Sequence, residues 1–95
     1  MKRATISYYN CLTYKVEGLP QAFGRVIAQM RVQQRLSQEE LAEMIGSTNV
    51  YISLLERGQR QPSLNAVILI AESLKITPAE LVRRVNEQLE ALKRV

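Results

Sequence analysis

Residues 36–58 read LSQEELAEMIGSTNVYISLLERG, and this stretch decides the fold. Ser37 with Glu40 three residues later is a capping box, which predicts a helix over residues 38–45. A second helix, over residues 49–57, follows after a link of only three residues. So short a link, which contains a glycine, holds two helices at a wide angle to each other.

Three more helices are predicted around this pair. Apolar residues recur at helical spacing after Pro20 and predict a helix up to about Gln34. Pro62 and Ser63 open a helix over residues 64–74, and a last helix starts near Pro78 with a second predicted capping box. The sequence therefore predicts an all-α fold of five helices with short connections.

Length and composition limit what such a chain does. Its 95 residues form one small domain, and no apolar run reaches the roughly 18 residues of a membrane span. The basic start leads into no signal core, so we expect a cytoplasmic protein. One cysteine and no histidine argue against an internal disulfide and against a metal site. The missing histidine also removes the commonest general base, so we expect neither an enzyme nor a cofactor.

The net charge of +4 is unevenly divided along the chain. Residues 1–36 are strongly basic, and the charged residues of segment 37–56 are all acids. Arg57 and Arg60 follow directly. A mild basic excess suits a polyanionic partner, although many soluble domains are as basic. The argument therefore depends on the spacing of side chains.

The third helix has one face with an unusual composition. At about 100° per residue, its inner face carries Tyr51, Ile52 and Leu55. The opposite face holds an amide, a hydroxyl, a guanidinium and two aliphatic groups, with no acid and no lysine: Asn49, Ser53, Arg57, Val50 and Leu54. Such a mixture suits a major groove, because asparagine pairs with adenine, serine bonds several bases, and aliphatic groups meet the thymine methyl. The alternative is that the two aliphatic residues are ordinary exposed groups or lie half-buried under helix four.

Several blocks at matching separations resemble the XRE family, the phage-repressor and Cro type of DNA-binding domain. They are LSQEELA at 36–42, IG at 45–46, YIS at 51–53, LERG at 55–58 and PSL at 62–64. The resemblance extends over about residues 25–81. It implies a λ-repressor-like helix-turn-helix domain, usually dimeric, whose third helix enters the major groove of double-stranded DNA.

The resemblance also implies roles for individual residues. The base-reading positions are Asn49, Val50, Ser53 and Leu54, and the positions close to phosphates are Gln38, Thr48, Arg57, Arg60, Asn65 and Arg35. Gln38 is further expected to brace Asn49, while Arg31 and Glu56 match an internal ion pair. Three residues depart from the family pattern. Arg35 replaces a glycine, which predicts a strained turn after helix one, Ser47 replaces an aliphatic residue, and Leu69 replaces a polar one.

Helices four and five carry more apolar residues than one small domain can bury. Residues 67–70 are all aliphatic, and the last helix continues an apolar seam after Leu81. We expect a homodimer through Ile68, Leu69, Val82, Val85, Leu89 and Leu92. The alternative is that the seam folds back within its own chain. The expected organisation is an arm over residues 1–18, the DNA-binding domain over 19–81, and a dimerising helical extension over 82–95.

The function expected from these features is a sequence-specific transcriptional regulator, a repressor, that acts as a dimer on a palindromic operator. An alternative is an antitoxin or restriction-system controller that represses its own operon, with a protein partner held by the tyrosines of the arm. Another is a protein-interaction module that has lost DNA binding. The arm itself reads as a short strand or as a disordered terminus. Lys2 and Arg3 either enter a minor groove or are simply solvated.

Overall fold

The computed structural model describes residues 16–93, and five α-helices make up its regular structure in that range. They are α1 (Leu19–Gln33), α2 (Gln38–Met44), α3 (Asn49–Glu56), α4 (Leu64–Ser73) and α5 (Pro78–Lys93). The predicted all-α fold is confirmed, and the ends predicted for the first four helices lie within one residue of the observed ones. The arm predictions for residues 1–15 lie outside the described residues. None of the five helices is long and apolar enough to cross a membrane.

The helix starts follow the predicted caps. The Ser37 hydroxyl accepts a hydrogen bond from the Glu40 N–H at 2.9 Å, and the Glu40 carboxylate accepts one from the Ser37 N–H at 2.8 Å. Thr48 caps α3 through the Tyr51 N–H at 3.2 Å. Ser63 caps α4 in the same way. Each cap satisfies one N–H group that a helix start leaves without a backbone partner.

The start of α5 departs from the predicted capping box. The Thr77 hydroxyl accepts a hydrogen bond from the Glu80 N–H at 3.0 Å. The Glu80 carboxylate, however, accepts hydrogen bonds from Arg83 and Arg84, at 2.9 Å from each Nε. The hydrogen bond from Arg83, and next the one from Arg84, lower the pKa of Glu80 to about 2. Two arginines one turn further along the helix thus engage the carboxylate that a capping box would use.

Two helices end on a non-glycine residue in the left-handed region. Arg35 after α1 has φ 60° and Lys75 after α4 has φ 64°. At the first of these ends the Leu36 N–H donates back to the Arg31 carbonyl at 3.0 Å, which closes the helix as a Schellman motif does. A left-handed conformation costs an L-residue roughly 1–2 kcal/mol. The strain predicted at Arg35 is therefore present.

The core corrects the prediction for the C-terminal seam. Its largest fully buried side chains come from all five helices and from the end of α4: Ile27, Leu41, Ile52, Leu55, Ile70, Leu74 and Leu81. Val85 and Leu89 are also buried, each 7% exposed, because α5 packs along α1. Leu92 packs partly against the same core. These three residues were predicted to lie at a dimer interface. Instead they pack the last helix against its own domain.

Helices α1 and α3 touch at Gly24. A Cβ atom added there would lie 2.2 Å from the Leu55 carbonyl oxygen and 2.7 Å from the Glu56 carbonyl oxygen. Both are backbone atoms of the end of α3, so no side-chain rotation relieves the contact. The missing side chain lets the two helices approach closely and fixes the position of α3 against α1.

Candidate nucleic-acid interface

The two sides of α3 differ in exposure as the helical spacing predicts. Ile52 and Leu55 are fully buried and Tyr51 packs against them at the edge of the core. On the opposite side Asn49 and Val50 are exposed, and the latter is 62% exposed. The remaining outward residues, Ser53 and Leu54, are half-buried. The first turn of α3 is therefore the most exposed part of this helix, and its exposed residues are one amide and one aliphatic side chain.

An ion pair anchors the other end of α3. Arg31 donates to the Glu56 carboxylate through Nε at 2.6 Å and through a terminal nitrogen at 3.0 Å, so the pair is bidentate. Its other terminal nitrogen donates to the Leu36 carbonyl at 2.7 Å. The side chains of Arg31 and Glu56 are only 15% and 8% exposed, and the hydrogen bond that Arg31 donates to the carboxylate raises the pKa of Arg31. The pair that the resemblance implies is formed, and it connects α1, the turn after it, and α3.

Gln38 is placed differently from the expectation. Its amide nitrogen donates to the Glu56 carboxylate at 2.8 Å, so it does not brace Asn49. The reason is that Glu56 offers a charged acceptor, and hydrogen bonds to charged groups are about twice as strong as neutral ones. Gln38 is half-buried at the start of α2, and it ties this helix to the Arg31–Glu56 pair.

The other residues expected near phosphates are all exposed. They are Thr48, Arg57, Arg60, Asn65 and Arg35. Arg60 lies in the loop between α3 and α4, where it lines an open cleft with the start of α1. Arg57 follows the last turn of α3, and its Nε donates to the Ser53 carbonyl at 3.4 Å. Thr48 and Arg57 border the two ends of α3, and Arg60 lies in the loop after it. Asn65 lies in the first turn of α4, and Arg35 follows the end of α1.

Two features of this region did not follow from the sequence. Glu39 and Glu43 line an open depression that Asn49 also lines, so acids flank the start of α3. The sequence shows that α2 is rich in acids, but it does not show that they lie beside the start of the next helix. Gly24 is the second feature. A glycine inside a helix gives a weak signal of a close crossing, but nothing in the sequence identifies the helix that it meets.

A separate apolar surface remains on α4 and α5. Leu64 and Ile68 lie four residues apart on one side of α4, and they are 73% and 37% exposed. Val82 on α5 is 55% exposed and lines an apolar cavity of about 220 Å³ together with Val67 and Pro62. Of the residues expected at a dimer interface, Ile68 and Val82 are accessible and Leu69 is half-buried. Among residues 16–93, no three side chains of the metal-ligating acid, cysteine and histidine types come together.

A helix-turn-helix family model matches residues 27–81, more than half of the chain. The chain belongs to the helix-turn-helix family. The XRE resemblance drawn from the sequence is thereby confirmed. In this helix-turn-helix protein α2 and α3 are the two helices of the motif, and α3 occupies the position of the recognition helix.

The chain is also similar to several known proteins. An uncharacterized HTH-type transcriptional regulator, y4dJ, of Sinorhizobium fredii is 34% identical over 64 residues, which cover 67% of this chain and 83% of the relative. The restriction-modification controller protein C.AhdI of Aeromonas hydrophila is 39% identical, with a TM-score of 0.63, over 65% of this chain and 94% of its own. The clp gene regulator ClgR of Corynebacterium glutamicum has a TM-score of 0.76 at 22% identity over 80% of this chain and 81% of its own, a likeness in fold.

Proposed function

We propose that this protein is a sequence-specific transcriptional regulator, a repressor, that binds double-stranded DNA through α3. The observation that carries the proposal is the outward face of the first turn of α3, where Asn49 and Val50 are exposed and uncharged. Both side chains can meet base edges without placing a charge in the groove. The exposed arginines beyond the end of α3, Arg57 and Arg60, are suited to phosphates, which set register without reading sequence.

The ion-pair network supports the same proposal. Direct readout needs a recognition helix whose position is fixed before DNA arrives, because each misplaced side chain loses its hydrogen bonds. The Glu56 carboxylate binds Arg31 of α1 and Gln38 of α2, and so it holds α3 against both helices. Gly24 fixes the distance between α1 and α3. In this proposal the half-buried Gln38 also contacts a DNA phosphate, through the part of its amide that faces solvent.

Selection of bound sequences from a randomised duplex pool tests the proposal, followed by affinity measurements on the selected site and on a scrambled duplex. We expect Asn49→Ala to cost about 1–3 kcal/mol on the selected site only and to relax the preference at one base pair. Arg60→Ala should weaken binding to both duplexes and lower the salt slope by about one unit. If the pool yields no enriched sequence at low salt, the chain acts instead as a protein-interaction module.

We also propose a twofold dimer that reads a palindrome, with the interface on the apolar surface of α4 and α5. The support is the exposure of Leu64 and Ile68 on one side of α4 and of Val82 on α5, since patches of exposed apolar groups mark interaction sites. In a twofold dimer the same surface serves both subunits, and the two recognition helices would lie about 34–36 Å apart. Because Val85 and Leu89 are buried in the chain itself, they are not part of the proposed interface.

Sedimentation of the whole chain at tens of micromolar tests the dimer. Val82→Asp should give a folded monomer, because this side chain is 55% exposed and the substitution leaves the core intact. Val32→Asp, at a similarly exposed valine on α1, is the control and should leave the dimer unchanged. A wild-type monomer at this concentration, or a dimer that survives Val82→Asp, would rule the interface out.

Within this function, the identity of 39% to the controller C.AhdI favours a restriction-system controller over other regulators. A controller of this kind would bind the DNA upstream of its own coding sequence. Footprinting of that DNA with the purified protein tests the assignment. Protection of a palindrome there supports it, and protection only at unrelated promoters contradicts it.

A further inference from the structure

Val50 is the most outward side chain of the first turn of α3. The two fully buried residues of this helix, Ile52 and Leu55, define the direction of the core. At about 100° per residue, Val50 points within about 10° of the opposite direction. It is the second residue of α3 and 62% exposed. A valine here lies where a recognition helix approaches base edges most closely, since the N-terminal residues of such a helix make these contacts.

The chemistry of valine limits what it can meet in a major groove. It neither donates nor accepts a hydrogen bond, so a polar base edge pressed against it would lose water without gaining a partner. The base edges of the major groove offer one apolar group, the C5-methyl of thymine. The methyl group of 5-methylcytosine occupies the same position on the pyrimidine ring.

Resting on the function proposed above, we propose that Val50 packs against the C5-methyl group of one pyrimidine in each half-site and thereby specifies it. Asn49 and Ser53, on the adjacent side of the helix, read polar edges beside it. Leu54, one turn further along and half-buried, continues the aliphatic ridge from Val50 away from the first turn. The half-site then carries thymine or 5-methylcytosine at the position that Val50 faces.

Replacing single thymines by uracil in the selected duplex tests this contact, because uracil lacks only the methyl group. At one thymine per half-site we expect about a fourfold loss of affinity, the factor that corresponds to burying one methyl group. Val50→Ala should abolish the difference between thymine and uracil at that position. Val32→Ala is the matched control, because Val32 is also a helical valine and also 62% exposed, and this variant should keep the fourfold difference.

Two further duplexes distinguish the sources of the methyl group. With cytosine at the same position, adding the methyl group of 5-methylcytosine should raise the affinity of the wild-type protein by about the same factor. Val50→Ala should not respond to the methylation. A response shared by thymine and 5-methylcytosine identifies the methyl group itself as what is read, and a response to thymine alone assigns the contact to thymine.

The possible failures are distinguishable. If no duplex is enriched from the pool, the proposed function fails and this inference fails with it. If a site is enriched but contains no thymine sensitive to uracil, or if Val50→Ala retains the full difference, only this inference is overturned. Should Val50→Ala bind too weakly at the reference salt, the same pairs of duplexes are compared at lower salt, where phosphate contacts strengthen all binding equally.

Discussion

Gly24→Ala tests how the position of the recognition helix is fixed. Alanine is the better helix former, by about 1 kcal/mol relative to glycine, so helix propensity alone predicts a more stable protein. The structure predicts the opposite. The new Cβ atom would lie 2.2 Å from the Leu55 carbonyl oxygen and 2.9 Å from the Glu56 carbonyl carbon. Ordinary contact needs about 3.4 Å, so α1 and α3 would have to separate by roughly 1 Å.

The magnitude follows from that separation. Inserting a methyl group into a packed region costs typically about 1–3 kcal/mol, and occasionally more. A gap of 0.5–1 Å also forfeits about a quarter to a half of each dispersion contact across it. Phe23 and Ile27 on α1 lie in the same core cluster as Ile52, so these contacts are among those that weaken. We expect a net loss of about 3 kcal/mol, a large part of the 5–15 kcal/mol that keeps a typical domain folded.

Urea unfolding followed by circular dichroism measures this loss. Gly46→Ala is the control, because its Cβ atom would meet nothing within 4 Å while its φ of 71° still disfavours alanine. That variant should lose only about 1–2 kcal/mol. Equal losses for the two variants, or a Gly24→Ala protein as stable as wild type, would refute the claim that a backbone contact fixes α3. A folded Gly24→Ala protein should also bind the selected DNA more weakly, because α3 has moved.

Three further outcomes are expected. Arg35→Gly and Lys75→Gly should each raise the free energy of unfolding by about 0.5–1 kcal/mol, since glycine relieves the left-handed strain but has more freedom when unfolded. A loss of stability of either variant in urea titrations would contradict this. Only Arg35→Gly should weaken DNA binding. Glu56→Ala should cost about 3 kcal/mol in the same titrations, because it leaves the Arg31 guanidinium buried without its carboxylate; a loss below 1 kcal/mol would mean that water replaces the pair. The pKa of Glu80 is about 2 in the folded protein and 4.5 ordinarily, so its contribution to stability is complete above pH 4.5 and disappears as the pH falls towards 2. The difference in melting temperature between wild type and Glu80→Gln should therefore disappear over that pH range. A constant difference would contradict the ion pairing of Glu80 with Arg83 and Arg84.

The helices and their starts could be predicted because their signals are local. A capping box such as Ser37 with Glu40 lies within one turn, and the glycine of the turn lies next to the helix that it ends. The division of α3 into a buried and an outward face follows from its period of 3.6 residues in the same way. These signals need no knowledge of what the helix packs against. The outward face of α3 could accordingly be predicted from the sequence alone.

What covers an apolar face could not be predicted by the same means. The seam through Val85 and Leu89 showed correctly which side of α5 is apolar, but amphipathic spacing is the same whether the cover is α1 or a second chain. The answer depends on how far α1 reaches along α5, and that depends on the angle between two helices about 60 residues apart in sequence. The exposed residues that remain, such as Val82, became identifiable only after the intrachain cover was known.

The partner of Gln38 illustrates a second limit and has a consequence for function. From the start of α2 this amide has two candidate partners on α3, the neutral side chain of Asn49 and the charged one of Glu56, and it takes the charged one. Asn49 is thereby left without a side-chain brace from Gln38 and stays exposed, as the proposed base contact requires. The same carboxylate accepts hydrogen bonds from Arg31, so a single half-buried acid orients α3 relative to both preceding helices. In the proposed function Glu56 therefore acts on base reading from a distance, because it sets the position of α3.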